Sequence, residues 1–259
     1  MSIEALTSAL QAAEATMKAY ANNIANAKTT GFKASDVHTN DLFYAQLAKA
    51  GTLENVNNAR KPVGVQVGSG TRVSATARNL AQGEIKHTNN PLDIALTGPG
   101  YFAITMPNFR NGRAYTRDGS FKISADRTIT TSSGALLDDN ITIPDGIDTD
   151  KITIDRNGVL SVTYPDNTVE EIVTIQLYNF PNEQGLEARG NNLLSETDGS
   201  GEAVPIDNLN EKFLQNALEK SNVSSIVALT EMIEVQRQHE MASRAMRIAD
   251  DMAKKLAET

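Results

Sequence analysis

Residues Lys220–Thr259, KSNVSSIVALTEMIEVQRQHEMASRAMRIADDMAKKLAET, decide the fold because they read as one long, uninterrupted helix. The stretch contains no Gly or Pro and is rich in Ala, Met, Glu, Lys and Arg, which are good helix formers. Ser221 and Asn222 precede the first apolar residue and predict the N-terminal cap. A straight helix over most of this stretch would be about 57 Å long, which exceeds what a compact domain of this size needs.

One face of this helix carries a heptad seam, in which apolar residues recur at alternating spacings of four and three. On the opposite side acids precede bases by four residues, which is the favoured order for ion pairs along a helix. A single amphipathic helix cannot bury its own seam, so the sequence predicts a partner helix. The seam comprises Ala228, Met232, Val235, His239, Ala242, Met246, Ala249, Ala253 and Leu256.

The N-terminal segment repeats the same spacing and supplies the predicted partner. We expect this helix to end near residues 25–28, with Gly31 as a C-terminal stop and Phe32 as an apolar anchor beyond it. The economical interpretation is that the two helices pair as a coiled coil. The alternative is two separate amphipathic helices that lie on one core. The N-terminal seam comprises Leu6, Leu10, Ala13, Met17, Tyr20 and Ile24.

Between Val63 and about Gln176 the apolar periodicity changes to two, which is typical of strands. Asn157-Gly158 predicts a type I′ hairpin, and Asp118-Gly119 predicts a second turn. Short strands with frequent turns and no intervening helical pattern predict an antiparallel β domain. The alternating runs are Val63, Val65 and Val67; Leu92, Ile94 and Leu96; Ile152 and Ile154; and Leu160, Val162 and Tyr164.

The predicted fold class is therefore α+β, with paired N- and C-terminal coiled-coil helices and a central antiparallel β domain. Residues 1–33 form the N-terminal helix of an inner domain, and residues 216–259 form its C-terminal helix. Residues 34–70 are predicted to be a linker with some extended structure, and residues 71–215 form the central β domain.

Composition and charge exclude several function classes. The net charge of −8 falls within residues 39–219, because acids and bases balance in residues 1–38 and 220–259. An acidic middle without basic patches argues against nucleic-acid binding. The absence of Cys excludes disulfides and thiolate metal sites. No apolar run is long enough for a membrane span, and no cleavable secretory signal is visible.

The sequence offers no pattern for catalysis, a cofactor or a metal ion. His38, His87 and His239 lie in three separate segments, which argues against a zinc site. Gly68-Ser69-Gly70 lacks the Lys of a phosphate loop and reads as a turn or bulge. Carboxylates such as Glu84, Asp93 and Asp118 could form a glycosidase pair, but no spacing places them together.

Two terminal signatures resemble those of the bacterial flagellar rod and hook family. The first is Ala21-Asn22-Asn23-Ile24-Ala25-Asn26 followed by Thr29-Thr30-Gly31-Phe32-Lys33. The second is Leu218-Glu219-Lys220-Ser221-Asn222-Val223 followed by Glu231-Met232-Ile233-Glu234-Val235-Gln236-Arg237. Central segments at Asn90–Leu96 and Tyr115–Phe121 resemble the family as well, so the resemblance covers nearly the whole chain and is strongest for the distal-rod branch.

Three positions depart from the family pattern. Arg127 stands where the family usually has Gly, so a different turn conformation is expected there. Asn216 also replaces a Gly, although Asn can adopt a positive φ. His239 stands where Tyr is usual, which bears on the packing of that layer of the seam.

The resemblance implies a structural subunit of the flagellar distal rod, which polymerises into a rigid, hollow drive shaft and transmits torque from motor to hook. The implied partners are other copies of the chain, proximal rod proteins, the hook protein, the peptidoglycan-ring and outer-membrane-ring proteins, and the flagellar export apparatus. The implied location is the basal body, across the periplasm, after export without a cleaved signal. Residues of about 46–63 resemble a rod-specific insertion that braces neighbouring subunits.

The candidate assembly interface combines seam and signature residues. Head-to-tail contacts that do not close a ring give an open helical assembly. The alternatives are a proximal rod or hook-like protein of the same family, a carbohydrate-active β enzyme, and a surface adhesin that trimerises through its helices. The candidate residues are Leu6, Leu10, Ala13, Met17, Asn23, Ile24, Asn26, Gly31, Phe32, Asn222, Met232, Val235, His239, Ala242, Met246, Ala249 and Leu256.

Overall fold

The computed structural model of the chain describes residues 3–51, 63–107, 109–138, 141–206 and 212–257. The architecture is α+β, as the sequence predicts, with a helix at each end of the described chain and short strands between them. Helix α1 spans Ile3–Ala25 and helix α2 spans Ser225–Ala257. Short 3-10 helices span Arg110–Gly112, Thr149–Lys151 and Glu183–Gly185.

The described strands are short, and every pair whose register is resolved is antiparallel. In chain order they are β1 (Ser35–Asp41), β2 (Tyr44–Ala48), β3 (Val65–Gly68), β4 (Thr71–Arg78), β5 (Ile85–His87), β6 (Ile94–Leu96), β7 (Tyr101–Thr105), β8 (Arg113–Thr116), β9 (Lys122–Ile123), β10 (Ile129–Thr130), β11 (Leu136–Leu137), β12 (Ile152–Ile154), β13 (Val159–Thr163), β14 (Val169–Thr174), β15 (Leu177–Asn179), β16 (Glu187–Gly190), β17 (Leu193–Ser195), β18 (Val204–Pro205), β19 (Phe213–Gln215) and β20 (Ala217–Glu219).

The chain divides into two compact units. The helical unit draws on residues 1–25, 35–77 and 224–259, and the β unit on residues 26–34 and 78–223. Strands β1–β3 lie within residues 34–70, where a linker with some extended structure is predicted. Strands β1 to β3 belong to the helical unit.

In the helical unit α1 and α2 pack against each other in antiparallel orientation. Burial raises the pKa of the Tyr20 hydroxyl, near the end of α1, and the carboxylates of Glu231 and Glu234, near the start of α2, raise it further. The end of one helix therefore lies beside the start of the other. Strand β1 packs on α1 and pairs with β4, and β2 pairs separately with β3.

The largest sheet of the β unit has nine strands, in the order β16-β17-β8-β7-β11-β10-β9, with β15 also beside β7 and β18 beside β15. Smaller sheets are β12-β13-β14, β19-β6 and β20-β5. Their inward faces form a core of Ile, Leu and Val side chains around a few aromatic rings. Phe102 is fully buried there, and its ring meets that of Phe121 edge to face with centroids 5.1 Å apart.

The hairpin predicted at Asn157-Gly158 is present, since β12 and β13 pair on either side of it. The predicted type I′ turn is wrong, because that turn needs positive φ at both central residues. Gly158 has φ +83, whereas Asn157 is not among the residues with positive φ. The Gly158 N–H donates to the Asp155 carbonyl oxygen at 2.9 Å, so a four-residue turn ending in a left-handed glycine connects the strands.

Two positions where the chain departs from the family's glycines keep a left-handed backbone. Arg127 has φ +57, so this residue still adopts the conformation that glycine favours. Its guanidinium donates to the carbonyl oxygens of Ile143 at 3.2 Å and Ile147 at 2.7 Å, which holds the turn in place. Asn216 also has φ +57, as the tolerance of Asn for this region predicts.

Helix α1 ends at Ala25, as predicted, but Gly31 does not cap it. Gly31 lies six residues beyond the helix, where its φ of +66 serves a different contact described below. Helix α2 begins at Ser225, so the predicted cap at Ser221 and Asn222 is wrong. The Asn222 side chain accepts a hydrogen bond from the Ala34 N–H at 2.8 Å and is therefore engaged within the β unit.

Candidate assembly interface

The predicted seam of α1 is half-buried along its length. Leu6, Leu10, Ala13, Met17 and Ile24 are all partly covered, while Ala12 is the most buried apolar side chain of the helix. The sequence pattern missed Ala12, because small residues at 9, 12, 13 and 16 share one side and the heptad assigned only Ala13 to the seam. The most buried face of α1 is therefore centred near Ala12, slightly to one side of the predicted heptad seam.

The predicted seam of α2 is covered as far as Ala249. Ala228 and Val235 are buried, and Met232, His239, Ala242, Met246 and Ala249 are half-buried. Ala253 and Leu256 are exposed, with Leu256 at 79% of its full accessibility. The reason is length: α2 has 33 residues and α1 has 23, so the C-terminal turns of α2 extend beyond its antiparallel partner.

A second set of exposed apolar residues on α2, here called the second stripe, lies outside the predicted heptad seam. Ile226, Ile233, Met241, Ile248 and Met252 are all exposed, and Ile226 reaches 80%. The heptad seam accounts for one face of the helix, and the charge pattern on the opposite face does not predict these apolar residues. The signal that could have found the stripe is the recurrence of large apolar residues at about every second turn.

Asn23 is buried and connects α1 to the first strand. Its amide nitrogen donates to the Ser35 carbonyl oxygen at 2.8 Å, and its side-chain oxygen accepts from the Ser35 N–H at 2.9 Å. Both hydrogen bonds lie inside the helical unit. The structure therefore places this candidate interface residue within one subunit, where it fixes the chain that leaves α1.

We expect Asn23→Ala to lower the free energy of unfolding of the helical unit by about 1–3 kcal/mol, because both Ser35 backbone groups lose their partner. Hydrogen exchange of the α1 amides would measure the loss. Gln11→Ala, at an exposed position of the same helix, is the control and should change stability by less than about 0.5 kcal/mol. Equal effects of the two substitutions would contradict the assigned role of Asn23.

Four further signature residues, Asn26, Gly31, Phe32 and Asn222, lie in the β unit. The Gly31 N–H donates to the Glu219 carbonyl oxygen at 2.8 Å, and the Asn222 N–H donates to the Phe32 carbonyl oxygen at 3.3 Å. Asn26 accepts a hydrogen bond from the Thr29 hydroxyl at 3.1 Å. These residues join the segment after α1 to the segment before α2.

A buried ion pair between Lys33 and Glu219 lies at this junction. The Lys33 ammonium is 2.6 Å from the Glu219 Oε1 atom, and the two side chains are 7% and 2% exposed. The Glu219 carboxylate also accepts the Gly83 N–H at 2.9 Å. Burial lowers the pKa of Lys33, and the Glu219 carboxylate partly offsets this effect. Lys33 and Glu219 are 186 residues apart in the sequence, so no local spacing pattern could have predicted that they form an ion pair.

Strands β2 and β3 form a hairpin whose apolar residues are largely uncovered. Tyr44, Leu47, Val65 and Val67 are exposed, and Phe43, just before β2, is 88% exposed. A two-stranded ribbon of this kind is only marginally stable by itself. The predicted insertion of residues 46–63 overlaps this hairpin, and its residues 52–62 lie outside the described chain.

Within the described residues, the helices are too short or too polar to cross a membrane. The same part of the chain holds no group of His, Cys, Asp or Glu side chains arranged for a metal ion.

Three family descriptions match parts of this chain. Residues 3–33 match "Flagella basal body rod protein", residues 95–162 match "Flagellar hook protein FlgE/F/G D1 domain", and residues 214–259 match "Flagellar basal body rod FlgEFG protein C-terminal". The matched ranges include both terminal signatures and the first strands of the β unit's main sheet.

Several curated relatives align over most of their length. The flagellar basal-body rod protein FlgG of Borreliella burgdorferi is 39% identical over 236 residues, covering 90% of this chain and 88% of the relative. FlgG of Caulobacter vibrioides is 38% identical and covers 95% and 94%, respectively. FlgG of Buchnera aphidicola subsp. Schizaphis graminum is 36% identical and covers 96% and 95%.

Proposed function

Since this chain belongs to the flagellar basal-body rod protein family, we propose that it forms the distal rod, as a rigid, hollow shaft that transmits torque from motor to hook. The family membership makes it a structural subunit of the basal body and not an enzyme. The observation that carries the proposal is the pair of uncovered apolar surfaces in the helical unit, the second stripe of α2 and the β2–β3 hairpin.

Assembly would order the helical unit by covering these surfaces. The seam between α1 and α2 is thin and rich in Ala, while fixing the backbone costs about 1–2 kcal/mol per residue. A coiled coil of two such helices therefore gains much of its stability only when neighbouring subunits pack around it. In this proposal the helical units line the inner tube and the β units form its outer layer.

We expect the purified monomer at low concentration to have protease-sensitive ends around a resistant core near residues 63–215. Limited proteolysis followed by mass spectrometry measures the protection of each end, at protein concentrations below and above the polymerisation threshold. Protection of both ends should appear only above the polymerisation threshold. A monomer that is protected over its full length would contradict the proposal.

The insertion near residues 46–63 would brace neighbouring subunits through the uncovered hairpin. We expect deletion of residues 46–63 to leave polymerisation intact but to make the tube more flexible, because it removes most of β2, including the exposed Leu47, and with it the apolar surface that would contact a neighbouring subunit. Electron microscopy of filament curvature measures the effect, with the wild-type polymer as reference. A deletion polymer that is as straight as the wild type would favour a different role for this segment.

The proposed partners follow from the position of a distal rod. They are proximal rod proteins on one side, the hook protein on the other, the peptidoglycan-ring and outer-membrane-ring proteins around the shaft, and the export apparatus. The proposed location is the part of the basal body that crosses the periplasm, reached without a cleaved signal. Imaging the tagged subunit in isolated basal bodies tests this placement, and label at the hook or the proximal rod would contradict it.

A further inference from the structure

A pocket in the β unit, here called the guanidinium pocket, is lined by a buried arginine that has a hydrogen-bond donor to spare. The pocket has a volume of about 500 Å³, which is typical of small-molecule sites in proteins. All of its lining residues belong to the β unit, so one compact unit forms the whole pocket. Its walls include Leu80, Gly98, Pro99, Arg117 and residues 180–184.

The Arg117 side chain is only 7% exposed, yet its guanidinium is incompletely hydrogen-bonded. The Nη2 atom donates to the Gly98 carbonyl oxygen at 2.7 Å, and Gly98 is part of the pocket wall. The Nε atom lies 3.8 Å from the Glu219 Oε2 atom, which is too far for a hydrogen bond. The Nη1 atom is buried and has no hydrogen-bond partner in the described part of the chain. Because a buried donor without a partner is costly, an added acceptor would stabilise this guanidinium.

The contacts of the guanidinium leave it free to turn in its own plane. The Arg117 Cζ atom lies over the Tyr101 ring, 5.6 Å from its centroid, and a flat contact of this kind does not fix rotation. Nη1 and Nη2 are bonded to the same carbon atom, and Nη2 already lies at the pocket wall beside Gly98. A small turn would therefore present both nitrogens to the pocket. Two parallel N–H groups form the fork to which a carboxylate binds through both of its oxygens.

The two glutamine side chains in the pocket wall are already engaged within the protein. The Gln82 amide donates to the Leu96 carbonyl oxygen at 2.8 Å and accepts from the Gly98 N–H at 3.0 Å. The Gln184 amide binds both backbone groups of Arg78, at 2.9 and 2.6 Å. Recognition of a ligand in this pocket therefore depends mainly on the guanidinium.

The charges around the pocket favour a ligand with a single negative charge. The Glu183 carboxylate is part of the wall and accepts a hydrogen bond from the Tyr101 hydroxyl at 2.9 Å. The guanidinium groups of Arg78 and Arg117 both act electrostatically on Tyr101, so two cations lie near one carboxylate. The buried ion pair described above is neutral overall. A dianion such as phosphate would be repelled by Glu183, and Arg78 is already bound to the Leu186 carbonyl oxygen at 3.3 Å.

We propose that the guanidinium pocket binds a small carboxylic acid, with the carboxylate on Arg117 and the apolar body of the ligand against Pro99, Phe180 and Pro181. These three residues line the pocket and supply the apolar part of its wall, together with Leu80. The proposal goes beyond the structural role of the subunit. It does not depend on the proposed function, because the pocket lies wholly within the β unit and uses neither the second stripe nor the β2–β3 hairpin.

Titration of the full-length protein with benzoate tests the proposal. Amide correlation spectra of the deuterated, ¹⁵N-labelled monomer are recorded below the polymerisation threshold. We expect saturable shifts that are confined to Gly98, Arg117 and residues 182–184, and that include the Arg117 Nε–H signal. Benzamide has the same shape without the charge and should bind about tenfold more weakly. Inorganic phosphate should also bind about tenfold more weakly, because Glu183 repels its second charge.

Matched variants separate recognition from a general charge effect. Asn182→Asp places a negative charge in the pocket wall and should weaken benzoate binding about fivefold. Asn157→Asp adds the same charge at another exposed position, outside the pocket, and should change binding less than about twofold. Arg117→Lys keeps the charge but loses the fork, so we expect binding about tenfold weaker. Urea unfolding of each variant checks that the β unit remains folded.

Three results would overturn the proposal. Benzoate shifts that do not saturate, or that spread over the protein, would show that the pocket holds no site. Equal binding of benzoate and benzamide would show that the carboxylate makes no contact with Arg117. Equal losses for Asn182→Asp and Asn157→Asp would show that net charge alone governs binding. The comparison of these two asparagine variants decides the matter even if Arg117→Lys fails to fold.

Discussion

Replacing Lys33 with methionine should lower the free energy of unfolding of the β unit by about 3–5 kcal/mol, because the substitution removes the cation that donates a hydrogen bond to the buried Glu219 carboxylate. The two charged groups are 2.6 Å apart, and less than a tenth of either side chain is exposed. Arg117 lies nearby, with its Nε atom 3.8 Å from Glu219, and is too distant to replace the lost hydrogen bond. Urea unfolding followed by tyrosine fluorescence would measure the loss.

An exposed ion pair in the same unit provides the matched control. Lys220 lies 2.7 Å from Glu84, and both side chains are substantially exposed, so Lys220→Met should cost only about 0–1 kcal/mol. Adding Glu219→Gln to Lys33→Met removes the unpaired carboxylate and should recover about 1–3 kcal/mol. Glu219→Gln alone measures the cost of leaving the buried Arg117 guanidinium without this carboxylate. If the double variant is no more stable than Lys33→Met after this cost is subtracted, lost packing, and not an uncompensated carboxylate, causes the destabilisation.

The second large effect is expected from Gly31→Ala. A Cβ atom at Gly31 would lie 2.8 Å from both the carbonyl carbon and the carbonyl oxygen of Arg117, at a φ of +66. The left-handed conformation costs a non-glycine residue about 1–2 kcal/mol, and forcing an extra carbon into a packed site costs about 1–3 kcal/mol. We therefore expect a total loss of about 2–5 kcal/mol, measured by the same unfolding experiment.

Gly134→Ala separates the two causes of this loss. Gly134 has φ +83, but a Cβ atom there would meet nothing within 4 Å. This variant should lose only the conformational part, about 1–2 kcal/mol. If both variants lost the same stability, the close approach of the Gly31 backbone to Arg117 would be unimportant.

The periodic parts of the chain could be predicted from sequence, because their physical cause is local. The repeats of apolar residues located both helices, the end of α1 at Ala25 and the covered part of the α2 seam up to Ala249. The period of two located strands β3, β6, β12 and β13, and Asn157-Gly158 located a hairpin. In each case neighbouring residues in the sequence determine the local geometry.

Long-range contacts could not be predicted in this way. The alternation of Val63, Val65 and Val67 predicts a strand, but not that all three side chains are exposed, because no described element covers either face of the β2–β3 pair sufficiently to bury them. The local sequence predicts Gly31 as a helix stop, but its left-handed conformation instead allows a close approach to the backbone of Arg117, 86 residues later in the chain. The start of α2 shifted to Ser225 because Asn222 binds the backbone of Ala34, which local capping rules cannot detect.

The junction of Gly31, Lys33, Glu219 and Asn222 has a consequence for how subunits mature. It ties the residues that follow α1 to the residues that precede α2, inside the β unit. Because the junction holds the two connecting segments together, α1 meets α2 of the same polypeptide at a high effective concentration. This concentration is far above that of α2 from other chains in solution. Exchange of helices between newly arrived chains is therefore disfavoured, and we expect α1 of each chain to pair with α2 of the same chain when assembly orders the helical unit.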